Sequence, residues 1–217
     1  MPPTLLLVPT EFEHAFVKER VELLASKHNL IVTQCGFGPV LPAAITTEKI
    51  HQHRPCLVIL CGIAGANEVA SLDVGAAYEF TRVKIDGVGA GQGAEFRTAS
   101  QMGWNQFAGD ADHPTIGDVI DICDSGGPSL LTVCAAAGHR AQATDRHQRF
   151  GTDAEDMEAF AVAAACQLQN VPLRVVRGIS NIAGDRDHSK WKIEDAMQNA
   201  ITIVERIVQE AVTDDQD

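Results

Sequence analysis

The sequence is short of aromatic residues, which limits the kind of core it can build. Only 5% of its 217 residues are Phe, Trp or Tyr, so a packed interior has to come mainly from aliphatic side chains. The remaining composition is ordinary for a globular protein, with 45% hydrophobic and 21% charged residues. Because this length suits one large domain, we expect residues 1–217 to form a single domain.

Basic residues are also scarce: there are 17 Lys and Arg residues against 29 Asp and Glu, which gives a net charge of −12. So acidic a chain is poorly suited to bind nucleic acid or an anionic membrane surface. No apolar run approaches the roughly 20 residues that a membrane helix requires. The apolar start at residues 5–8 lacks the basic flank of a signal peptide. We therefore expect a cytoplasmic protein that has neither partner.

The six cysteines show no disulfide or metal-binding pattern. Most lie in apolar runs, without a CxxC pair or zinc-finger spacing. They are Cys35, Cys56, Cys61, Cys123, Cys134 and Cys166. This distribution predicts buried, reduced thiols and no structural metal.

Continuous apolar runs alternate with helical patterns along the chain, as in an α/β protein whose sheet is covered on both faces. The clearest predicted strands are residues 5–8, 31–35, 56–61, 77–83, 130–134 and 175–179. The longest predicted helices are residues 11–27 and 193–212. Residues 86–118 lack periodicity and contain Phe96, Trp104 and Phe107. We expect them to form either loops on one rim of a pocket or irregular surface segments without a role in a site.

Three short motifs stand where predicted strands end. Thr10 and Glu13 have the spacing of a helix capping box, and Glu13 also lies where a catalytic carboxylate would be useful. Residues 36–39 (GFGP) precede a helix and could either admit a ligand close to the backbone or make a turn. Residues 62–66 (GIAGA) are small enough to leave room for a ligand.

These motifs, taken in order, carry a family resemblance. The chain resembles the nucleoside phosphorylase superfamily in the motifs Pro-Thr-x-x-Glu, GFGPV, LCGIAGA, LDVG, DMEA and ISN, which occur in this order. Within that superfamily it resembles the purine nucleosidases, such as methylthioadenosine/S-adenosylhomocysteine nucleosidase. The ending ISNIAGDRDHSKW resembles the futalosine hydrolases of menaquinone biosynthesis. The resemblance implies a three-layer phosphorylase-like α/β fold with a mixed central sheet. It also implies a purine N-glycosyl hydrolase without metal or organic cofactor, acting as a homodimer or higher homo-oligomer.

The resemblance assigns roles to individual residues. Met157 would pack on the ribose, Glu158 would accept hydrogen bonds from its hydroxyls, and Glu13, rather than Glu11, would activate the attacking water. The other expected substrate-binding residues are Thr10, Gly65, Phe96, Arg97, Ala135, Asp156 and Ser180. Both glycine motifs lack basic and hydroxyl side chains, which favours water over phosphate as nucleophile, although Arg20 or Arg82 could still reach the site.

Asn181 departs from the adenine-specific relatives, which place an Asp at this position. An amide offers one donor and one acceptor, which suits a 6-oxopurine such as hypoxanthine. The sequence therefore favours futalosine as substrate, with an adenine nucleoside (aminofutalosine or methylthioadenosine) or a silent nucleoside-binding module as alternatives. The carboxylate in the tail of futalosine would need a cation, for which Arg97 and Arg186 are candidates, and Trp191 is expected to anchor the final helix.

Overall fold

The computed structural model describes residues 2–124 and 126–213. Strands and helices alternate along most of this chain. The strands are β1 (Thr4–Val8), β2 (Leu30–Gln34), β3 (Leu57–Ala66), β4 (Ala77–Phe80), β5 (Arg82–Ile85), β6 (Gly89–Ala90), β7 (Arg97–Thr98), β8 (Val119–Asp121), β9 (Ser129–Thr132), β10 (Ala154–Asp156) and β11 (Leu173–Ile182). The helices are α1 (Glu11–Lys27), α2 (Val40–His53), α3 (Arg140–Phe150), α4 (Ala159–Leu168) and α5 (Ile193–Thr213).

All strands except the small β6–β7 hairpin join one mixed sheet. β1 pairs in parallel with β2 and β3, and β3 pairs in parallel with β11. From β11 the pairing continues through β4 and β5, which are separated only by Thr81, then through β9 and β10, and returns to β3. The paired strands and the chain connection at Thr81 together link β3, β11, β4, β5, β9 and β10 into a ring. The predicted α/β class and mixed sheet are confirmed.

Helices cover both faces of the sheet because its strands are apolar on both sides. In β1, Leu5 and Leu7 belong to the cluster that packs under α2 and α4, whereas Leu6 and Val8 pack under α1 and α5. Each fully buried aliphatic side chain of this kind contributes about 1.5–3 kcal/mol to stability. The result is the predicted three-layer arrangement with a largely aliphatic core.

The first helix begins where the capping motif predicts. Thr10 is the N-cap of α1; the Glu13 amide donates to Thr10 Oγ1 at 3.3 Å and the Thr10 amide donates to Glu13 Oε2 at 3.1 Å. The capping role of Glu13 is thereby confirmed. The cap fixes the direction of the chain as it leaves β1, and so it orients a carboxylate at the carboxyl end of that strand.

The GIAGA segment belongs to β3, whereas we predicted that this strand ends at residue 61. β3 continues to Ala66, because Ile63 pairs with Gly178 of β11 and Gly65 pairs with Glu155 of β10. The glycine at position 62 leaves room for buried side chains of the protein rather than for a ligand. A Cβ atom there would lie 2.3 Å from Arg177 Nη1.

All six cysteines belong to the described chain and are free thiols. Cys35, Cys61 and Cys166 are buried as expected, and burial raises the pKa of each to about 12. Cys56 and Cys134 are exposed, which corrects the expectation of uniform burial. None of the helices within the described ranges is long and apolar enough to cross a membrane.

Candidate active site

A cavity of about 270 Å³ opens where β1, β3 and β11 end together. Parallel strands place their carboxyl ends at one edge of the sheet, so residues distant in sequence meet here. Glu13, Glu158 and Asn181 all line the cavity. Five expected substrate-binding residues line it as well: Thr10, Gly65, Asp156, Met157 and Ser180.

Three expected substrate-binding residues lie outside the cavity. Ala135 turns away because its carbonyl accepts a hydrogen bond from Arg146 Nη2 at 3.0 Å, and the next two residues line the cavity instead. Phe96 lines a separate cavity of about 430 Å³, and Arg97 is exposed on β7. Residues 86–118 form a small hairpin, two 3₁₀ turns and connecting loops, and they do not contribute to this cavity's wall, contrary to the expectation of a pocket rim.

Glu13 is held at the floor of the cavity by both of its oxygens. Oε2 accepts from Thr10 Oγ1 at 2.5 Å, and Oε1 accepts from the Ile63 amide of β3 at 2.9 Å. Only 4% of its surface is exposed, whereas Glu11 lies on the exposed side of α1. Of the two candidate acids, Glu13 is therefore the one that faces the cavity.

A fully buried arginine links the carboxylates, and the sequence reasoning missed it. Arg177 of β11 donates through Nη2 to Asp156 Oδ2 at 2.5 Å and to Glu158 Oε2 at 3.2 Å. Its Nη1 and Nε have no hydrogen-bond partner among the described residues. The absence of a side chain at Gly62 lets Arg177 Nη1 lie close to Glu13, so one guanidinium pairs with two acids and stands near a third. A charged residue inside an otherwise apolar strand was the available signal.

Both carboxylate oxygens of Asp156 accept hydrogen bonds from other groups of the protein. Its Oδ1 accepts from Thr132 Oγ1 at 2.7 Å, and its Oδ2 accepts from the Ala159 amide at 2.9 Å as well as from Arg177. It therefore satisfies the first amide of α4 and anchors Arg177 at the same time. This geometry describes a residue that holds other groups in place at the cavity wall.

Glu158 is a buried acid whose pKa is raised. Its Oε1 accepts from the Gly38 amide at 3.2 Å, where the left-handed backbone of that glycine turns the N–H inward. Burial raises its pKa to about 7, against the opposing effect of Arg177, while the charges of Asp156 and Glu13 raise it further. Near neutral pH this carboxyl is thus poised between its two protonation states, which is common at catalytic sites.

Asn181 follows a register shift in the pairing of β11 with β3, and the shift brings its side chain to the cavity. Its Oδ1 accepts from Ser180 Oγ at 2.8 Å, and its Nδ2 donates to the Ile182 carbonyl at 2.8 Å. These bonds fix the orientation of the amide. They leave one N–H hydrogen and one carbonyl lone pair for a ligand.

The mouth of the cavity combines apolar rings with one cation. Phe12 and Phe37 line it and are 59% and 61% exposed. Arg186 lies over the Trp191 ring at 5.3 Å, and Trp191 Nε1 donates to the Asp185 carbonyl at 3.1 Å. Trp191 thus holds the loop before α5, in keeping with its expected packing role.

Arg186 makes no ion pair with the described residues, although it stands between two acids. Asp185 pairs with Arg140 at 3.5 Å, and Asp187 pairs with Lys190 at 3.0 Å. Arg20 and Arg82, the other cations considered for this site, do not line the cavity; Arg82 pairs instead with Asp121. The residues within the described ranges contain no group of three or more His, Cys, Asp and Glu side chains placed to hold a metal ion.

Comparison with known proteins agrees with this architecture. A family model for the phosphorylase superfamily matches residues 122–213. A methylthioadenosine/S-adenosylhomocysteine nucleosidase of Chromohalobacter salexigens is 30% identical over 190 residues, covering 82% of this chain and 79% of that protein. A futalosine hydrolase of Streptomyces coelicolor is 28% identical over 168 residues, covering 75% and 71%. The structure of the Helicobacter pylori futalosine hydrolase superposes with a TM-score of 0.75 at 17% identity, covering 97% and 99%.

Acids gathered around a buried arginine at the carboxyl edge of a mixed sheet form a site suited to stabilising a sugar cation, and the relatives define the class as purine N-glycosyl hydrolases. The chain belongs to the phosphorylase superfamily, as a nucleosidase of the methylthioadenosine/S-adenosylhomocysteine nucleosidase and futalosine hydrolase type. The resemblance read from the motifs is thereby confirmed.

Proposed function

We propose that this nucleosidase is a futalosine hydrolase that releases hypoxanthine. The observation that carries the proposal is that Asn181 lines the cavity while its side-chain hydrogen bonds leave one amide hydrogen and one carbonyl lone pair unused. A departing hypoxanthine protonated at N7 presents one acceptor, O6, and one donor, N7–H. The amide complements this pair, whereas an adenine protonated at N7 presents two donors.

In the proposed reaction, Glu158 and Met157 act on the ribose. As the bond between C1′ and the base nitrogen breaks, its electron pair leaves with the base and positive charge develops on the ribose. Ionised Glu158 stabilises that charge and accepts hydrogen bonds from the ribose hydroxyls, while Met157 packs on the sugar. A preorganised charge of this type contributes about 10²–10³-fold to the rate.

Water completes the exchange. Glu13 uses its remaining lone pairs to orient a water molecule toward C1′ and accepts the proton that the water loses. Behind Glu13, the fully buried guanidinium of Arg177 places a positive charge close to this carboxylate without lining the cavity. The base takes its N7 proton from solvent, because the amide of Asn181 has no acidic proton to give, and Glu13 returns the proton of the water to solvent. The products are hypoxanthine and a ribose that carries a new hydroxyl at C1′.

The mouth favours a substrate with an anionic aromatic tail. Futalosine carries a benzoate beyond its ribose, and Arg186 is a guanidinium with no ion pair in the described chain. A bidentate guanidinium–carboxylate pair is among the strongest polar contacts that a protein makes. The rings of Phe12 and Phe37 supply apolar surface for the tail.

An adenine nucleosidase is the second candidate, because the Chromohalobacter relative is slightly more similar in sequence than the futalosine hydrolase from Streptomyces. To separate the two, the protein is incubated with futalosine, aminofutalosine, inosine and methylthioadenosine, with and without phosphate, and the released bases are identified by chromatography. We expect hypoxanthine from futalosine without any need for phosphate. Adenine release alone would refute the proposal, as would a strict requirement for phosphate.

The Asn181→Asp variant tests the carrying observation directly. A carboxylate facing O6 places two acceptors against each other, so hypoxanthine release should fall about 10²-fold relative to adenine release. Asn199→Asp is the matched control, since Asn199 also donates to a backbone carbonyl, that of Gly75 at 2.8 Å, but lies outside the cavity. An unchanged ratio of the two bases in Asn181→Asp would contradict the assignment.

A further inference from the structure

A second buried arginine lies behind the cavity wall, on a helix whose sequence is almost entirely polar. Arg146 of α3 is 7% exposed and donates to three separate segments. Its Nη1 reaches Glu155 Oε2 at 2.9 Å, its Nη2 reaches the Ala135 carbonyl at 3.0 Å, and its Nε reaches Asp86 Oδ2 at 3.1 Å. The side chain does not line the cavity.

The partners of Arg146 hold the loop that follows β9. Glu155 Oε1 accepts from the Ala137 amide at 2.9 Å, so this loop is fixed through one carbonyl, at Ala135, and one amide, at Ala137. Between these two points the chain turns Ala136 and Ala137 toward the cavity. Without the network, a short run of alanines has no side-chain bonds with which to maintain this geometry.

The same wall continues to the strand end that carries Asn181. Ala137 packs with Ala183, which follows Asn181 by two residues and also lines the cavity. Gly184 approaches the start of α3 so closely that a Cβ atom there would lie 2.4 Å from the His139 carbonyl carbon. The start of α3 and the end of β11 are therefore packed as one unit.

We propose that Arg146 is a positioning residue for substrate binding: through Glu155 and Ala135 it fixes the alanine wall beside Asn181 in the geometry that receives the base. This inference rests on the proposed function, since it takes that wall as the one facing the base. The wall contacts the base equally in the bound substrate and in the transition state. Its loss should therefore weaken binding much more than it slows the chemical step.

The test compares Arg146→Met and Arg146→Lys with Gln148→Met, an exposed position on the same helix. We expect Arg146→Met to raise KM for futalosine about tenfold while kcat changes less than about threefold. Arg146→Lys keeps the charge and should recover part of the loss. Gln148→Met should behave like the parent protein.

Hydrogen exchange provides a readout that does not depend on turnover. Well below the melting temperature, Arg146→Met should lose protection at residues 133–139 and keep it in α2. A lower melting temperature with unchanged KM and unchanged protection would show a purely structural ion network and overturn the proposal. If the parent hydrolyses no purine nucleoside, the proposed function fails instead, and exchange at residues 133–139 still decides whether Arg146 holds the wall.

Discussion

Replacing Glu158 with Gln should make the protein inactive and, at alkaline pH, more stable. Burial raises the pKa of Glu158 to about 7 in the folded chain, whereas its ordinary value is 4.5. Between these pH values the folded state binds more protons than the unfolded state. The free energy of unfolding of the parent therefore falls as pH rises through this window.

The size of the effect follows from the shift. At about 1.4 kcal/mol per pKa unit, the parent loses roughly 2–3 kcal/mol between pH 5 and pH 8 because of this one carboxyl. Gln has the shape of the protonated acid and cannot ionise, so the variant is spared the loss. For a chain of this length, about 2–4 °C per kcal/mol means that the melting temperature of the variant should gain roughly 5–10 °C on the parent over that range.

The assay is thermal unfolding of both proteins at several pH values, together with chromatographic measurement of base release. Release should fall at least about 10²-fold in the variant, and in the parent it should rise with pH through about 7 as Glu158 ionises. Glu11→Gln, which removes an exposed acid from the same region, should leave both the melting temperature and its pH dependence unchanged. A difference in melting temperature between Glu158→Gln and the parent that stays constant with pH, or near-normal turnover of the variant, would refute the reasoning.

Two further predictions concern the mouth and the floor of the cavity. Arg186→Gln should raise KM for futalosine about 10–100-fold and spare inosine, which has no carboxylate tail, while Lys190→Gln should affect neither; equal losses on both substrates would contradict the carboxylate role. Gly62→Ala places a Cβ atom 2.3 Å from Arg177 Nη1, so it should cost about 1–3 kcal/mol of stability and most of the turnover. Gly117→Ala, with its nearest atom at 3.6 Å, should melt like the parent.

Local chemistry made parts of the site predictable. The capping box of Thr10 and Glu13 depends on residues three apart, so the sequence states it directly, and the structure has it at the start of α1. Asn181 was recognisable from the ISN motif, in which adenine-specific relatives place an Asp, and its hydrogen-bond partners are the adjacent residues Ser180 and Ile182. In both cases the deciding partners are close in sequence.

The parts that could not be predicted depend on distant partners. Arg177 finds Asp156 twenty-one residues earlier and Gly62 on a neighbouring strand, contacts that only the assembled sheet creates. α3 was missed because its polar residues hide the apolar pattern of a helix, and its one large buried side chain is the charged Arg146. We predicted Ala135 at the cavity, whereas Ala136 and Ala137 line it. Identical side chains in a row give no signal of which of them faces inward.

The pairing of β3 with β11 determines when the enzyme can become active during folding. Val58 lies beside Leu173 in this pair, so the strand that carries Gly65 and the strand that carries Asn181 meet only after more than half of the chain has been closed into a loop. Contacts of such long sequence separation form slowly and late. We therefore expect catalytic competence to be the final property acquired during synthesis or refolding, so that recovered turnover reports completion of the whole fold rather than of any local segment.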